Sequence, residues 1–282
     1  MSTEWRNRSE RGSTSMKRAI IWLALNVGRS FCRVLLVPIS AYFLATAPRA
    51  RRASREFLTR ALGRRATWRD TFRHLFVFAT TLLDRVFLLN GRHRDLEVTV
   101  VNRQVFEDAI AGGRGCLLLG SHLGSFEMLG VVGGIERGLP INMVMHVEQT
   151  TGMRDLLSGT ASTIPYKVIA LGKPESMLRV KECLERGEVV GLLADRVYGR
   201  EVTQGLPFLG STARFSLGPF RLARITGAPV VSVFGLFQGG RRYEILFEPL
   251  GAPEPAPYVA VLEREARRSP YNWFNFYDFW GA

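Results

Sequence analysis

Short apolar runs alternate with helix-type stretches through most of the chain, and this alternation limits the possible folds more than any other feature of the sequence. The runs typical of buried strands cover residues 96–101, 115–120, 141–146, 166–171, 188–194 and 230–237, and the helical stretches between them cover 103–111, 124–137, 174–186 and 214–226. Strands that alternate with helices usually pack as a parallel sheet between layers of helices. We therefore predict an α/β fold with a mixed, largely parallel central sheet flanked by helices. In such a fold the functional groups gather at the strand ends.

An amphipathic helix is predicted before the first strand. Residues 67–90 carry apolar side chains at the spacing of a helix with one buried face, and Gly91 follows as a natural stop. His74 lies beside this apolar stripe. We interpret His74 as a structural residue.

The segment 19–47, AIIWLALNVGRSFCRVLLVPISAYFLATA, is long enough to cross a bilayer. Arg29 and Arg33 share one helical face within it, and Pro38 is expected to bend or interrupt the helix. The segment therefore predicts membrane association, either as a span or as a helix that lies in the interface or packs its arginine face on protein. A cleaved signal peptide is not expected, because the site-like residues 45–47 lie too far from the start.

The chain carries a large excess of positive charge. It has 38 Lys and Arg against 25 Asp and Glu, a formal net charge of +13 and a pI near 10.5. This balance indicates an anionic partner, which could be nucleic acid, an anionic membrane surface or an acidic carrier protein. Directly after the membrane segment stands an arginine cluster that consists of Arg49, Arg51, Arg52, Arg55, Arg60, Arg64 and Arg65. The positive-inside tendency predicts that this cluster stays on the cytoplasmic side, where it can bind anionic lipid.

Several kinds of site are not expected. Cys32, Cys116 and Cys183 are far apart in apolar sequence, which favours a reducing compartment over disulfides or a cysteine metal site. The histidines have no ligand-spaced partners, so we expect no metal. Glycine-rich nucleotide loops and the Gly-x-Ser-x-Gly elbow of serine hydrolases are absent from the sequence.

The stretch GSHLGSFE, residues 120–127, is the strongest candidate site. His122 follows the predicted strand 115–120, and Glu127 falls in the first turns of a helix expected to begin near Gly124. There an ionised carboxylate, favoured by the helix N-terminus, could hold the imidazole tautomer and stabilise the imidazolium. The pattern predicts a general base, His122, with Glu127 as its orienting partner. A polar turn is the structural alternative.

A second strand end repeats this pattern. LLADRVYGR, residues 192–200, closes a predicted strand with Asp195 and Arg196, which form either a second part of the site or a solvated turn. Further along, the loop 205–213 could shape a channel.

Four blocks, HLGSFE, LLADR, LPFLG and GPFRLARITGAPVVSVF, occur in this order and resemble the bacterial lipid A late acyltransferase family, which is lysophospholipid acyltransferase-like. The resemblance spans roughly residues 17–250. It implies that His122 and Glu127 deprotonate an acceptor hydroxyl, which then attacks the thioester of an acyl carrier protein. Asp195 matches the acidic position of the second block, but Arg196 stands where the family often has glutamine. MVMHVEQTTGM also replaces the usual Tyr-Arg-Pro strand end.

The resemblance also implies the remaining parts of the site. Backbone amides between Ser121 and Gly124, or Arg196, could stabilise the oxyanion, so we expect Ser121, Gly124, Ser125, Asp195 and Arg196 to bind substrate. No bound cofactor and no metal are expected, because the acyl group arrives on the phosphopantetheine of the carrier. The acceptor would be a hydroxyl of a lipid or glycolipid.

The ending YNWFNFYDFW, residues 271–280, resembles members of the family associated with aryl polyene biosynthesis. The acceptor is accordingly expected to be lipid A-like or an aryl polyene lipid. On its residues alone, an aromatic-rich tail indicates core packing or an interfacial anchor.

These expectations divide the chain into a basic tail (1–18), a membrane-associated helix (19–47) and an acyltransferase domain (48–282) on the cytoplasmic face of a bacterial inner membrane. The alternative is a non-enzymatic, membrane-tethered basic protein that binds anionic lipid or nucleic acid. That alternative accounts for the charge but not for the His122 and Glu127 pattern, and no RNA-recognition or zinc-finger signature supports it. We therefore expect no nucleic-acid partner.

Overall fold

The computed structural model describes residues 22–90, 92, 95–128, 138–146, 166–171, 174–199 and 201–281. The expected basic tail 1–18, the stop at Gly91 and most of the predicted helix 124–137 lie outside these residues.

The described chain begins with helices. After a helical segment over residues 22–27 come α1 (Arg29–Thr46), α2 (Pro48–Leu62) and α3 (Trp68–Leu89). The breaks fall at Gly28, whose φ is 104°, and at Ala47. Pro38 lies inside the continuous helix α1, so the expected interruption there is wrong. Because Pro38 removes one backbone donor, the carbonyl of Val34 loses its helical partner.

Helix α3 starts with a capping box. The Thr67 hydroxyl accepts a hydrogen bond from the Asp70 amide, and the Asp70 carboxylate accepts one from the Thr67 amide. These bonds satisfy orphan N–H groups of the first turn, which fixes the helix start where the sequence predicts it. His74 is fully buried in this helix, as expected for a structural residue.

The centre of the molecule is a seven-stranded sheet in the order β1-β9-β8-β2-β5-β3-β4. Its strands are β1 (Glu97–Val101), β2 (Cys116–Gly120), β3 (Ile141–His146), β4 (Lys167–Leu171), β5 (Val189–Leu193), β8 (Val230–Gly239) and β9 (Arg242–Pro249). All neighbouring pairs are parallel except β8 and β9. The predicted α/β class and largely parallel sheet are therefore confirmed.

The loop expected over 205–213 is instead part of an antiparallel hairpin, formed by β6 (Thr203–Phe208) and β7 (Ser211–Ser216). Leu209 and Gly210 make its turn with positive φ angles of 50° and 80°, as a two-residue hairpin connection requires. Because β7 extends through Ser216, the helix predicted from residue 214 starts only at Gly218.

The remaining helices cover the sheet and lead to the C-terminus. They are α4 (Arg103–Ala111), α5 (Pro174–Glu185), α6 (Gly218–Thr226) and α7 (Pro255–Arg268). A short 3-10 turn, Pro270–Asn272, follows α7 and opens the segment 271–280, which we term the C-terminal segment. Buried apolar side chains line both faces of the sheet.

Candidate active site

The candidate site lies where two neighbouring strands end. β2 and β5 are parallel and in register, with Gly120 opposite Leu193. The residues that follow each strand therefore emerge side by side, which brings His122 next to Asp195. Both strands are apolar and mostly fully buried, so the polar side chains come only at the edge of the core.

His122 and Asp195 form a hydrogen-bonded pair. The ring atom Nδ1 of His122 lies 2.8 Å from Oδ1 of Asp195, and the His122 amide donates to Oδ2 at 3.0 Å. The indole N–H of Trp273 donates to the same Oδ2 at 3.0 Å. The Asp195 side chain is 1% exposed and the His122 side chain is 17% exposed. The carboxylate is thus enclosed, while the imidazole keeps access to the surroundings.

The surroundings of this pair fix its protonation. Burial alone would raise the pKa of Asp195, but the His122 ring, its hydrogen bonds and Arg196 outweigh burial and lower that pKa to about 2. Burial and the Arg196 charge lower the pKa of His122, against the opposing effect of the Asp195 and Glu127 carboxylates. At neutral pH the pair therefore consists of a carboxylate and a neutral imidazole.

This protonation state assigns the imidazole tautomer. A carboxylate can only accept hydrogen bonds, so Nδ1 of His122 carries the ring proton. The lone pair then resides on Nε2, which has no hydrogen-bond partner among the described residues. A neutral imidazole held in this way can accept a proton from a bound hydroxyl.

Glu127 is placed differently from the expectation. Its carboxylate pairs with Arg85 of α3 at 2.9 Å and accepts a hydrogen bond from the Ser125 hydroxyl at 3.3 Å. The expected contact with the His122 ring is absent, because the described helical residues begin only at Glu127 and not near Gly124. Asp195 occupies the orienting position on Nδ1 instead. Glu127 still acts on His122 through its charge.

Three backbone amides of the turn after β2 are already used within the protein. The Leu123 amide donates to the Ser121 hydroxyl at 3.1 Å. The Gly124 amide donates to the Asn272 carbonyl, and the Ser125 amide to the Gly235 carbonyl, both at 2.7 Å. These bonds build the turn that presents His122, and substrate binding by Ser121, Gly124 and Ser125 stays a prediction.

Gly124 is required at this turn for a steric reason. Its φ is 84°, and a Cβ atom there would collide with the Gly235 carbonyl of β8. Only glycine lets the turn dock this closely on the neighbouring strand.

Arg196 keeps a donor that could serve a substrate. One terminal nitrogen, Nη2, donates to the Phe274 carbonyl at 2.8 Å, and the guanidinium lies 5.6 Å from the Tyr277 ring centroid. Its buried Nε has no hydrogen-bond partner among the described residues. Because Arg196 lowers the pKa of His122, its charge reaches the same site.

The C-terminal segment forms one wall of the site, which the sequence reasoning did not foresee. Leu123 and Trp273 form an antiparallel bridge, and the Phe274 amide donates to the His122 carbonyl at 2.9 Å. The only sequence signal for this role is the dense aromatic content of the segment. Of the two readings of that signal, core packing is the one observed, since Trp273, Phe274 and Phe279 are buried.

Within the part of the chain that the structure describes, no group of three or more His, Cys, Asp or Glu side chains could hold a metal ion.

Comparison with known proteins assigns the chain to a family. No curated protein matches it. The family model for bacterial lipid A biosynthesis acyltransferases matches residues 9–254, a stretch that contains both strand ends of the site. Since this match covers most of the 282 residues, the chain belongs to the bacterial lipid A biosynthesis acyltransferase family and is an acyltransferase.

Proposed function

We propose that the protein transfers an acyl chain from an acyl carrier protein thioester to a hydroxyl of a lipid or glycolipid, with His122 as the general base. The observation that carries this proposal is the His122–Asp195 pair, in which a carboxylate fixes Nδ1 and Nε2 has no hydrogen-bond partner among the described residues. Such a base activates a hydroxyl that is a weak nucleophile at its own pKa.

The proposed reaction needs no covalent acyl-enzyme. Nε2 of His122 takes the proton of the acceptor hydroxyl while the hydroxyl oxygen attacks the thioester carbonyl carbon. The tetrahedral intermediate then collapses, the carbon–sulfur bond breaks, and the phosphopantetheine sulfur leaves with the proton that His122 returns. The products are an ester and a thiol, and Asp195 stays ionised throughout because its pKa is about 2.

Arg196 is our candidate for oxyanion stabilisation. Its buried Nε lacks a partner among the described residues, whereas the amides of residues 122–125 are engaged. A cation near the reacting carbonyl stabilises the charge that develops in the transition state. Glu127 takes a supporting role in this scheme, since its charge favours the imidazolium form of His122.

The membrane attachment is proposed to run through α1. This helix is long and apolar enough to cross a membrane by length and composition, yet Arg29 is buried against the domain. The apolar side chains on the outer part of α1 are Phe31, Val34, Leu35, Val37, Ile39, Tyr42 and Phe43, all exposed. This division favours a helix that lies in the membrane interface and packs its arginine face on protein. The proposed units of the chain are 1–18, 19–47 and 48–282.

The acceptor is proposed to be lipid A-like or an aryl polyene lipid, and the catalytic domain is proposed to act on the cytoplasmic face of the inner membrane. The family supports a lipid acceptor, and the ending 271–280 supports the aryl polyene alternative.

The test is transfer of a labelled acyl chain from acyl carrier protein to a lipid extract. His122→Ala should lower the rate by about 10²-fold to 10⁴-fold while the fold and carrier binding persist, because the side chain stands in a turn. Near-parental transfer by this variant would overturn the proposal. A filter-binding titration with nucleic acid in the same buffers tests the non-enzymatic alternative, for which tight binding without acyl transfer is the supporting result.

A second experiment tests the topology. Protease added to intact spheroplasts should leave the residues after α3 uncut, and cleavage should appear only after lysis. Cleavage in intact spheroplasts would reverse the proposed orientation.

A further inference from the structure

The C-terminal segment completes the site from outside the matched stretch, which ends at residue 254. It lies antiparallel to the turn that carries His122 and contributes one donor to the Asp195 carboxylate. This donor is the indole N–H of Trp273, and it requires an explanation because the ring could pack equally well without it.

We propose that Trp273 is a positioning residue for catalysis, whose indole N–H holds Asp195 in the orientation that aligns His122. The role rests on the proposed function. Among the described residues Oδ1 of Asp195 contacts the imidazole, whereas Oδ2 accepts from both the His122 amide and the indole. These two donors at Oδ2 prevent the carboxylate from rotating, so Oδ1 stays directed at Nδ1.

The indole itself is held on several sides. Trp273 is fully buried, and its ring centroid lies 4.7 Å from that of Phe57, 4.8 Å from Phe279 and 5.2 Å from Phe208. Its backbone carbonyl lies 2.9 Å from Nε2 of the buried His74. Packing of this density leaves the indole one orientation, and that orientation directs its N–H at Asp195.

Other charged and titratable groups also act on the His122–Asp195 pair. Arg196 and Glu127 act on His122 with opposite effects, while Tyr258 and Tyr277 face Asp195 with hydroxyls whose pKa burial raises. All of them remain when the indole N–H is removed. Without that donor Oδ1 is no longer held at Nδ1, so Asp195 stabilises the imidazolium less and the pKa of His122 falls.

Trp273→Phe removes the N–H and keeps an aromatic ring, and Trp280→Phe is its matched control. Trp280 belongs to the same aromatic cluster, but its indole donates to the Phe208 carbonyl at 3.2 Å and not to the catalytic pair. We expect kcat of Trp273→Phe to fall about tenfold or more with KM near the parental value, because hydrogen bonds to charged groups are among the stronger ones. Trp280→Phe should keep kcat within about twofold of the parent.

A readout independent of turnover is the pKa of His122, followed by NMR of its ring nitrogens in the detergent-solubilised full chain. This pKa should fall in Trp273→Phe and stay at the parental value in Trp280→Phe. Benzothienylalanine at position 273, which keeps the bicyclic shape and replaces the N–H with sulfur, should reproduce the Trp273→Phe result even where phenylalanine loosens the core.

The outcomes separate this role from the proposed function. If His122→Ala abolishes transfer while the benzothienylalanine protein keeps parental kcat and His122 pKa, Trp273 is only a packing residue and the inference is overturned. If His122→Ala transfers as well as the parent, the proposed function fails, and the NMR titration alone then decides whether the indole acts on the pair.

Discussion

At the scale of single residues, two carboxylates compete for the role of histidine partner, and the structure separates them. Asp195 accepts from the ring of His122, whereas Glu127 is engaged by Arg85 and Ser125. The proximity of Glu127 in the sequence suggests a partnership that the turn geometry does not allow. The partner of His122 is Asp195, which lies far along the chain and is brought close by the parallel pairing of β2 and β5.

Asp195→Asn should therefore be far more damaging than Glu127→Gln. The two N–H donors at Oδ2 require an acceptor, so the asparagine oxygen would take that place and its NH₂ group would face Nδ1. Nδ1 would then have to accept, the proton would move to Nε2, and the base would be lost. We expect a fall in kcat of about 10²-fold to 10⁴-fold for Asp195→Asn.

Glu127→Gln should lose about tenfold at most, since it removes a charge near His122 and no bond to the ring. Steady-state kinetics of both purified variants across pH measures this ranking. Equal losses in the two variants, or a larger loss in Glu127→Gln, would return the orienting role to Glu127.

The protonation of the buried His74 is linked to the stability of the fold. Its Nδ1 lies 2.8 Å from the Ser54 hydroxyl and its Nε2 lies 2.9 Å from the Trp273 carbonyl. Burial, opposed by the bond to the Trp273 carbonyl, lowers its pKa from 6.5 to about 4. The folded state therefore binds this proton only near pH 4, while the unfolded chain binds it near pH 6.5.

Acidification below pH 6.5 should consequently destabilise the protein, because the unfolded state takes up more protons than the folded state. Between pH 7 and pH 5 this one group contributes a loss of about 2 kcal/mol, and it contributes nothing above the unfolded pKa. Urea unfolding of the detergent-solubilised parent and of His74→Gln at both pH values measures the difference. An identical pH dependence in the two proteins would show that His74 is not the buried neutral group described here.

At the scale of elements, α1 is attached to the domain by a buried ion pair. Arg29 contacts Asp84 of α3 through two hydrogen bonds of 2.6 and 2.7 Å, and the Tyr243 hydroxyl donates to the same carboxylate at 2.7 Å. The side chains of Arg29 and Asp84 are 6% and 0% exposed. Water therefore cannot compensate either charge when its partner is removed.

Arg29→Leu should destabilise the fold by about 3–5 kcal/mol, because the Asp84 charge remains buried without its direct ion-pair partner. The double variant Arg29→Leu/Asp84→Leu should recover much of this loss, since no unpaired charge is left. Arg51→Ala, whose guanidinium contacts only exposed carbonyls of α1, is the control and should change stability by less than about 0.5 kcal/mol. A double variant that loses the sum of the single variants would contradict an isolated charge pair.

The sequence predicts those elements whose pattern reflects local burial. β3 and α4 have the predicted limits, and the limits of the other predicted strands differ from the observed ones by only a few residues. Buried apolar runs can be recognised from the sequence alone. The β6–β7 hairpin was missed because Pro207 and the glycines argue against a strand, although on a two-stranded ribbon proline can be accommodated at an edge. β9 pairs antiparallel with β8 and fell outside the expected alternation of strand and helix.

The site was predictable to the extent that strand ends reveal it. His122 and Asp195 were both identified from the charge that follows a buried strand, but their mutual contact depends on the adjacency of β2 and β5. The Trp273 bond depends on how the chain returns after α7, which no local pattern encodes. The bonds of the Gly124 and Ser125 amides to Asn272 and Gly235 are likewise long-range, so no local pattern predicts them.

At the scale of the whole molecule, the net charge of +13 is not all available to partners. Within the arginine cluster, Arg64 pairs with Asp70, while Arg60 pairs with Glu56 and lies over the Trp280 ring. These two arginines are engaged in contacts within the protein, so fewer members of the cluster are available to bind anionic lipid. Others, such as Arg52 and Arg65, are exposed and can act on anionic surfaces.

The remaining charge bears on the proposed donor. An acidic carrier protein would be guided to the site by exposed arginines, and such steering is screened beyond about 8 Å at physiological salt. We expect kcat/KM with acyl carrier protein to fall markedly from low to physiological salt while kcat changes little, because saturation removes the dependence on encounter.

A coenzyme A thioester of the same chain length is also anionic but lacks the extended acidic surface of a carrier. Its use should be less efficient and less sensitive to added sodium chloride, which a rate series with both donors measures. Equal efficiency with coenzyme A, or a carrier reaction indifferent to salt, would contradict carrier recognition and leave acyl transfer supported by the family match and the His122–Asp195 pair.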